Sequence, residues 1–170
     1  NKVIGDPKDP RNSLFEEFIR VGSLLKPEIM IMENGPNLIK ARTESQELVV
    51  DIVVSELKSL GYFVNYKILE ATDYGVPQIR RRLVVIATKK EISSPFPPKT
   101  HKRGDEEDIF SSDLKKCPTL WDAISDLPDL EACEGAEIQA YSKAAENDYQ
   151  EMLKKGCDRV YNHKAMNHSK

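Results

Sequence analysis

The sequence predicts an α/β fold: a layered sheet ending in a hairpin of strands, followed by an irregular, partly helical segment. Three observations carry this. Two stretches repeat apolar residues at helical spacing, and short apolar or alternating runs follow each of them. A proline-rich join, Ser93-Ser94-Pro95-Phe96-Pro97-Pro98-Lys99, then ends the pattern. Proline has no amide donor and a fixed φ, so the join continues neither a helix nor a central strand. A boundary is expected there, with one domain over 1–92 and a second over 93–170.

Each element has a local reason. Asn12 or Ser13 can cap a helix whose first turn holds Glu16 and Glu17, carboxylates that suit the positive helix end. Its apolar positions are Leu14, Phe15, Phe18, Ile19, Val21, Leu24 and Leu25, and Lys26-Pro27 stops it. Ile29-Met30-Ile31-Met32 is a continuous apolar run, which predicts a strand buried on both faces as in a parallel sheet. A second helix is predicted from Glu44 to Leu60, with Leu48, Val49, Ile52, Val53, Leu57 and Leu60 inward and Gly61 just past its end. Tyr62 to Leu69 and Leu83 to Ala87 read as strands with no helix between them, which predicts a hairpin. Beyond the join, Leu120 to Leu127 predicts a short amphipathic helix stopped by Pro128, with Trp121 in the core. Asn147 to Lys155 predicts another.

Composition narrows the class. The chain has 170 residues, 39% hydrophobic and 31% charged, a globular balance without the bias of disordered or collagen-like sequences. No run of apolar residues is long enough to cross a membrane as a helix, and Asn1 to Asp6 shows no apolar signal-peptide core. The chain does not start with Met, so it is expected to be cut from something longer. The net charge is −3, split as +1 over residues 1–92 and −4 over 93–170, so binding through bulk positive charge is disfavoured while a local basic site is not. Cys117, Cys133 and Cys157 are odd in number and widely spaced, which predicts reduced thiols and an intracellular chain, cytoplasmic or, in a eukaryote, nuclear.

Two constellations could carry chemistry. Glu33-Asn34-Gly35-Pro36 follows the first strand directly, and crevices beyond strand ends are where α/β sheets bind ligands. A carboxylate there can act as an acid, or can be a solvated loop side chain or a helix cap. Asp73-Tyr74-Gly75-Val76-Pro77-Gln78-Ile79-Arg80-Arg81-Arg82 joins a rigid turn to a strand. Alternation sends Arg80 and Arg82 to one face and Arg81 to the other. Paired guanidiniums suit a phosphate or a polar base edge, or else an ion network with Asp73, Glu70 or Glu33. His163 and His168 lie five apart with no carboxylate or Cys motif beside them, so no metal site is expected. Cys117-Pro118 reads as a packed thiol, since nothing nearby would stabilise a thiolate.

Taken together these residues resemble a known family. Asp9-Pro10-Arg11-Asn12-Ser13-Leu14-Phe15, then Pro27 through Glu33-Asn34, then Asp73 through Arg82 resemble the cytosine-C5 DNA methyltransferases in order and spacing. Cys117 through Pro128 resembles the stretch after that family's catalytic core, and Asn162-His163 with His168 resembles the approach to its target-recognition region. The resemblance runs from about residue 9 to 170. It implies part of a Rossmann-like, S-adenosylmethionine-dependent methyltransferase sheet acting on a cytosine flipped out of double-stranded DNA. It also implies roles. Glu33 matches the carboxyl that contacts the cytosine N3 edge, Asn34 its neighbour in the loop, Arg82 the arginine on the base O2 edge, and Arg80 its companion. Gln78 matches a residue that shapes the substrate-side turn, and Leu14 one that touches the cofactor.

The departures are equally specific. The family's Pro-Cys-Gln nucleophile lies upstream of the Asp9 element, and no Pro-Cys occurs in this chain. The glycine-rich cofactor loop and most of the recognition region are also missing, and Gly35 stands where the family usually has Val. The resemblance therefore implies a middle portion, inactive alone, that self-associates or needs its missing N-terminal half. Two alternatives remain at this point: a tRNA cytosine-C5 methyltransferase, and a catalytically inactive nucleic-acid-binding or regulatory module.

Overall fold

The computed structural model describes residues 14–43, 45–104 and 113–167. The predicted caps Asn12 and Ser13, the Asp9 motif start, Glu44 and His168 lie outside the described residues. The chain forms two compact units: the residues up to Ala71 with Ile79–Lys99, and Thr72–Gln78 with the residues from Thr100 onward.

The first unit holds α1 (Leu14–Leu25), β1 (Ile29–Asn34), α2 (Val49–Ser59), β2 (Phe63–Glu70) and β3 (Arg81–Thr88). The sheet order is β1-β3-β2, with β3 antiparallel to both neighbours. β1 and β2 therefore run parallel, one strand apart, joined through α2, and the expected hairpin of β2 and β3 fills the gap between them. Ile19, Met30, Met32, Val49, Val53, Leu57, Tyr62, Val85 and Ala87 make the core on one sheet face. α1 comes close over β1 at buried Gly22, where an added Cβ would meet the Met30 side chain. α1 ends as expected, with Lys26 in the left-handed region at φ 47 and its amide donating to the Gly22 carbonyl. The end of α2 is closed twice: Gly61 takes φ 79, and Lys89 Nζ donates to the Leu60 carbonyl at 2.8 Å while lying 3.7 Å from the Tyr62 ring centre.

Two expectations for this unit need correction. β1 is buried on one face only: Met30 and Met32 point into the core, while Ile29 and Ile31 are 55% and 62% exposed. An apolar run had hidden a one-sided strand, because both of its faces are apolar. The second helix starts at Val49, and its buried stripe is Val49, Val50, Val53 and Leu57, so Leu48, Ile52 and Leu60 sit at its margin.

The second unit holds β4 (His101–Lys102), β5 (Lys115–Lys116), α3 (Leu120–Ile124), β6 (Gly135–Ala140), α4 (Asp148–Lys154) and β7 (Arg159–Lys164). β6 and β7 pair antiparallel, and β4 pairs parallel with β5. The four strands carry no strong apolar alternation, so the sequence did not announce them. Trp121 corrects another expectation. It stands 69% exposed, because α3 is a single short turn too brief to bury both faces.

The interior of this unit is polar. Gln150 is 1% exposed, and its side chain donates to the Asp122 carbonyl and to Ser125 Oγ while accepting from the Glu146 amide. Asp126 is buried against Lys154 at 2.6 Å, and Lys154 Nζ also donates to the Lys143 carbonyl and lies 4.1 Å from the Tyr141 ring centre. Removing one partner of a buried pair leaves an uncompensated charge. Lys154→Met is expected to destabilise this unit by about 3–5 kcal/mol in urea unfolding; an unchanged midpoint would show the pair to be dispensable.

α3 begins with a reciprocal cap: the Asp122 amide donates to Thr119 Oγ1 at 3.1 Å, and Asp122 Oδ2 accepts from the Thr119 amide at 2.8 Å. That amide bond first, then the Thr119 hydroxyl, and then nearby Lys116, hold the Asp122 carboxyl below its usual range. Because the folded value is depressed, its contribution is complete above the ordinary carboxylate value and is lost as pH falls through the folded one. The melting difference between wild type and Asp122→Ala should be largest at neutral pH and shrink below about pH 4; a constant difference would count against the cap.

Candidate functional site

Glu33 sits at the C-terminal end of β1, on the sheet face opposite the core. In the β1–β3 register it lies opposite Val84, so Arg82, two residues earlier on β3, shares its face as a diagonal neighbour. The two side chains meet: Arg82 Nε lies 2.5 Å from Glu33 Oε1, with the side chains 30% and 54% exposed. Arg82 Nη1 also donates to the Arg81 carbonyl at 2.9 Å, which fixes the guanidinium plane. The pair is open to solvent and is no internal ion cluster.

Arg81 takes the other face, as alternation requires, and lies 3.9 Å from Glu70, its register partner on β2. Arg80 precedes the strand and is exposed. Its carbonyl accepts from the Ala71 amide at 2.9 Å, closing the neck of the loop that leads into β3. Among the described residues Arg82 holds the ion pair with Glu33, and Arg80 does not share it.

Asn34 is exposed, and its Oδ1 accepts from the Gly35 amide at 2.7 Å, a local turn closure. Gly35 has φ −60 and ψ 148, and a Cβ there would meet nothing within 4 Å. The backbone at this position accepts any L-residue, so the glycine does not change the path of the loop. Leu14 opens α1 and is 63% exposed. It presents one apolar side chain to solvent.

Gln78 belongs to the second unit, where it is exposed and its amide donates to the Val76 carbonyl at 2.7 Å. The turn before it depends on Gly75, whose φ of 81 favours glycine and where an added Cβ would meet the His101 ring. Cys117 is buried and its thiol donates to the Val76 carbonyl. Burial, and then the Asp73 charge, push that thiol up, so it is a packed group and not a poised nucleophile. His163 Nε2 lies 2.8 Å from the Pro128 carbonyl. Among the described residues no cluster of three His, Cys, Asp or Glu could hold a metal ion, and no helix is long and apolar enough to cross a membrane.

One group went unnoticed in the sequence. His101, Lys115 and Lys116 line a cavity of about 690 Å³ in the second unit. The available signal was the basic run Lys99-Thr100-His101-Lys102-Arg103, offset in any charge window by Asp105-Glu106-Glu107-Asp108.

The family model for C-5 cytosine-specific DNA methylase matches residues 5–170. The Type II methyltransferase M.DdeI of Desulfomicrobium norvegicum is 41% identical over 168 residues, covering 96% of this chain and 38% of the relative. M1.HphI of Haemophilus parahaemolyticus is 33% identical over 166 residues, covering 95% of this chain and 33% of the relative. The chain thus spans about a third of the length of these relatives. A solved structure described as a DNA modification methyltransferase encoded within an E. coli prophage superposes with a TM-score of 0.66 at 22% identity, over 95% of this chain and 48% of that one, and so shares the fold. The match across nearly the whole chain settles the kinship that the ordered motifs implied: the chain belongs to the C-5 cytosine-specific DNA methylase family.

Proposed function

We propose that this chain is the middle portion of a DNA cytosine-C5 methyltransferase and contributes the groups that hold and polarise an extruded cytosine. The observation that carries this is the solvent-open Glu33–Arg82 pair at the end of β1. Nε and Oε1 bind each other, which brings a guanidinium donor and a carboxyl group together on one exposed face. They match the adjacent O2 and N3 of a pyrimidine edge. A proton or hydrogen bond from Glu33 to N3 draws electron density from the ring and makes C6 open to a thiolate, which adds there and later leaves when the C5 proton is removed. The thiolate belongs to a Pro-Cys-Gln loop outside this chain. S-adenosylmethionine would supply the electrophilic methyl group. Leu14, exposed at the start of α1, would give it one apolar contact. Arg80 is the exposed cation two residues before Arg82 in the chain, Asn34 sets the loop after Glu33, and Gln78 shapes the turn before Arg80.

In this reading residues 1–92 are the second half of the catalytic sheet, and 93–170 lead to the target-recognition region. The three-stranded sheet is then one end of a larger Rossmann-like sheet. Its uncovered face supports this: Ile29, Ile31 and Phe63 are 55%, 62% and 45% exposed on a face where helices would otherwise pack. Double-stranded DNA is the proposed substrate, and the missing N-terminal half the proposed partner of that face.

Two measurements test the reading. With the upstream half restored, Glu33→Gln should lower methyl transfer to duplex DNA by about 10²–10⁴-fold. Full activity would remove Glu33 from the chemistry, and transfer to tRNA alone would replace the substrate. The isolated chain should transfer no methyl group and should self-associate in sizing and light scattering, less so as Ile31→Lys; a stable monomer would show that the open face needs no cover.

A further inference from the structure

The outer face of the β1-β3-β2 sheet changes character along its length. The register puts Ile29, Thr88 and Phe63 in one row across the three strands, and Ile31, Ile86 and Asn65 in the next. These two rows are largely apolar. The row after them is Glu33, Val84 and Lys67, because Val84 is the partner of Glu33 on one side and of Lys67 on the other. The last row pairs Arg82 with Leu69. Residues directly opposite each other in a ladder project to the same face. Lys67 therefore shares the face of the Glu33–Arg82 pair, while its neighbours Tyr66 and Ile68 turn to the core side. Glu33, Arg82 and Lys67 thus bound a half-buried apolar floor made by Val84 and Leu69.

Lys67 is exposed, and among the described residues its ammonium makes no hydrogen bond or ion pair. The carboxylates nearest to it in register are engaged elsewhere. Glu33 binds Arg82, and Glu70, on the other face, lies 3.9 Å from Arg81. Distance then decides what Lys67 could touch. Neighbouring strands lie about 4.8 Å apart, so two spacings put its backbone about 10 Å from that of Glu33. A pyrimidine edge held by Glu33 and Arg82 ends well short of that, and it is the sugar and phosphodiester attached to the ring that extend across it. A lysine is a compact charge on a flexible stem, which suits a phosphate oxygen better than the fixed pattern of a base edge.

We infer that Lys67 is a further substrate-binding residue, which takes the phosphodiester flanking the cytosine held by Glu33 and Arg82. This rests on the pyrimidine-binding reading above and extends that site by one group. Phosphate contacts position a nucleic acid without specifying its sequence, so Lys67 fixes the nucleotide across the floor of Val84 and Leu69 and reads no base. It acts on binding and not on the polarisation of the ring. The apolar rows with Ile29, Ile31 and Phe63 remain the seat for the missing half, and Lys67 lies on the side of them that borders the pair.

The test uses the chain with its upstream half restored and follows binding to a fluorescein-labelled duplex by anisotropy. One duplex carries natural phosphodiesters on both sides of the target cytosine, and the other carries neutral methylphosphonates in those two places. Wild type should bind the neutral duplex about tenfold more weakly, the weight of one charge-assisted hydrogen bond. Lys67→Gln should bind the natural duplex about tenfold more weakly and should distinguish the two duplexes far less, while Lys67→Arg should restore the discrimination. In methyl transfer Lys67→Gln should raise KM for the duplex and leave kcat near wild type, whereas Glu33→Gln lowers the transfer itself. All variants should melt alike, since Lys67 is exposed. A Lys67→Gln protein that binds the natural duplex like wild type, or still discriminates between the duplexes as wild type does, overturns the assignment. So does a lowered melting point, or a loss that follows weakened association with the upstream half. Because binding is read apart from transfer, failure of the Lys67 contact and full activity of Glu33→Gln are separate results: the first removes the phosphate contact, the second the pyrimidine reading.

Discussion

The candidate chemistry depends on one constraint, the insertion of β3 between two strands that run parallel to each other. Leu83, Val85 and Ala87 on β3 are at most 1% exposed, so the strand cannot slip without moving its whole apolar set to the wrong face. That fixed register is what puts Arg82 diagonally across from Glu33 and sends Arg81 to Glu70. The core beneath the sheet and the ion pair above it are two faces of the same alternation.

The sequence made this half of the molecule legible because its signals were periodic. Helical spacing marked α1 and α2, the lack of a helix between two strand-like runs marked the hairpin, and alternation separated Arg81 from Arg82. It failed where both faces of an element are apolar: Ile29 and Ile31 look like core residues and stand open, because composition cannot say which face has a partner. Leu24 and Leu25 on α1 are exposed for the same reason.

The second unit resisted reading for a different cause. Its interior is built from Gln150, Asp126, Lys154 and backbone carbonyls, and such residues look like surface in a sequence. A polar interior gains its order from hydrogen bonds at fixed angles, so it specifies one arrangement where an apolar one would tolerate several. Trp121, the largest apolar candidate there, stands exposed on a unit whose buried side chains are mostly polar. The pairing of His101 and Lys102 with Lys115 and Lys116 is long-range in the same sense: no window of neighbouring residues contains it.

The path of the chain between the two units has a practical corollary. Residues Thr72–Gln78 leave the first unit, pack with the second, and return, above a neck closed by the Ala71 amide on the Arg80 carbonyl. The polypeptide thus passes between the units three times, and no single scission separates them. Cutting at the proline-rich join would strip that excursion of the Thr100 amide that binds Asp73 and of the Cys117 thiol that binds Val76. A clean dissection calls for grafting a short turn from Ala71 to Arg80, and evolutionary exchange of the second unit faces the same bookkeeping: the donor must bring its own seven-residue loop.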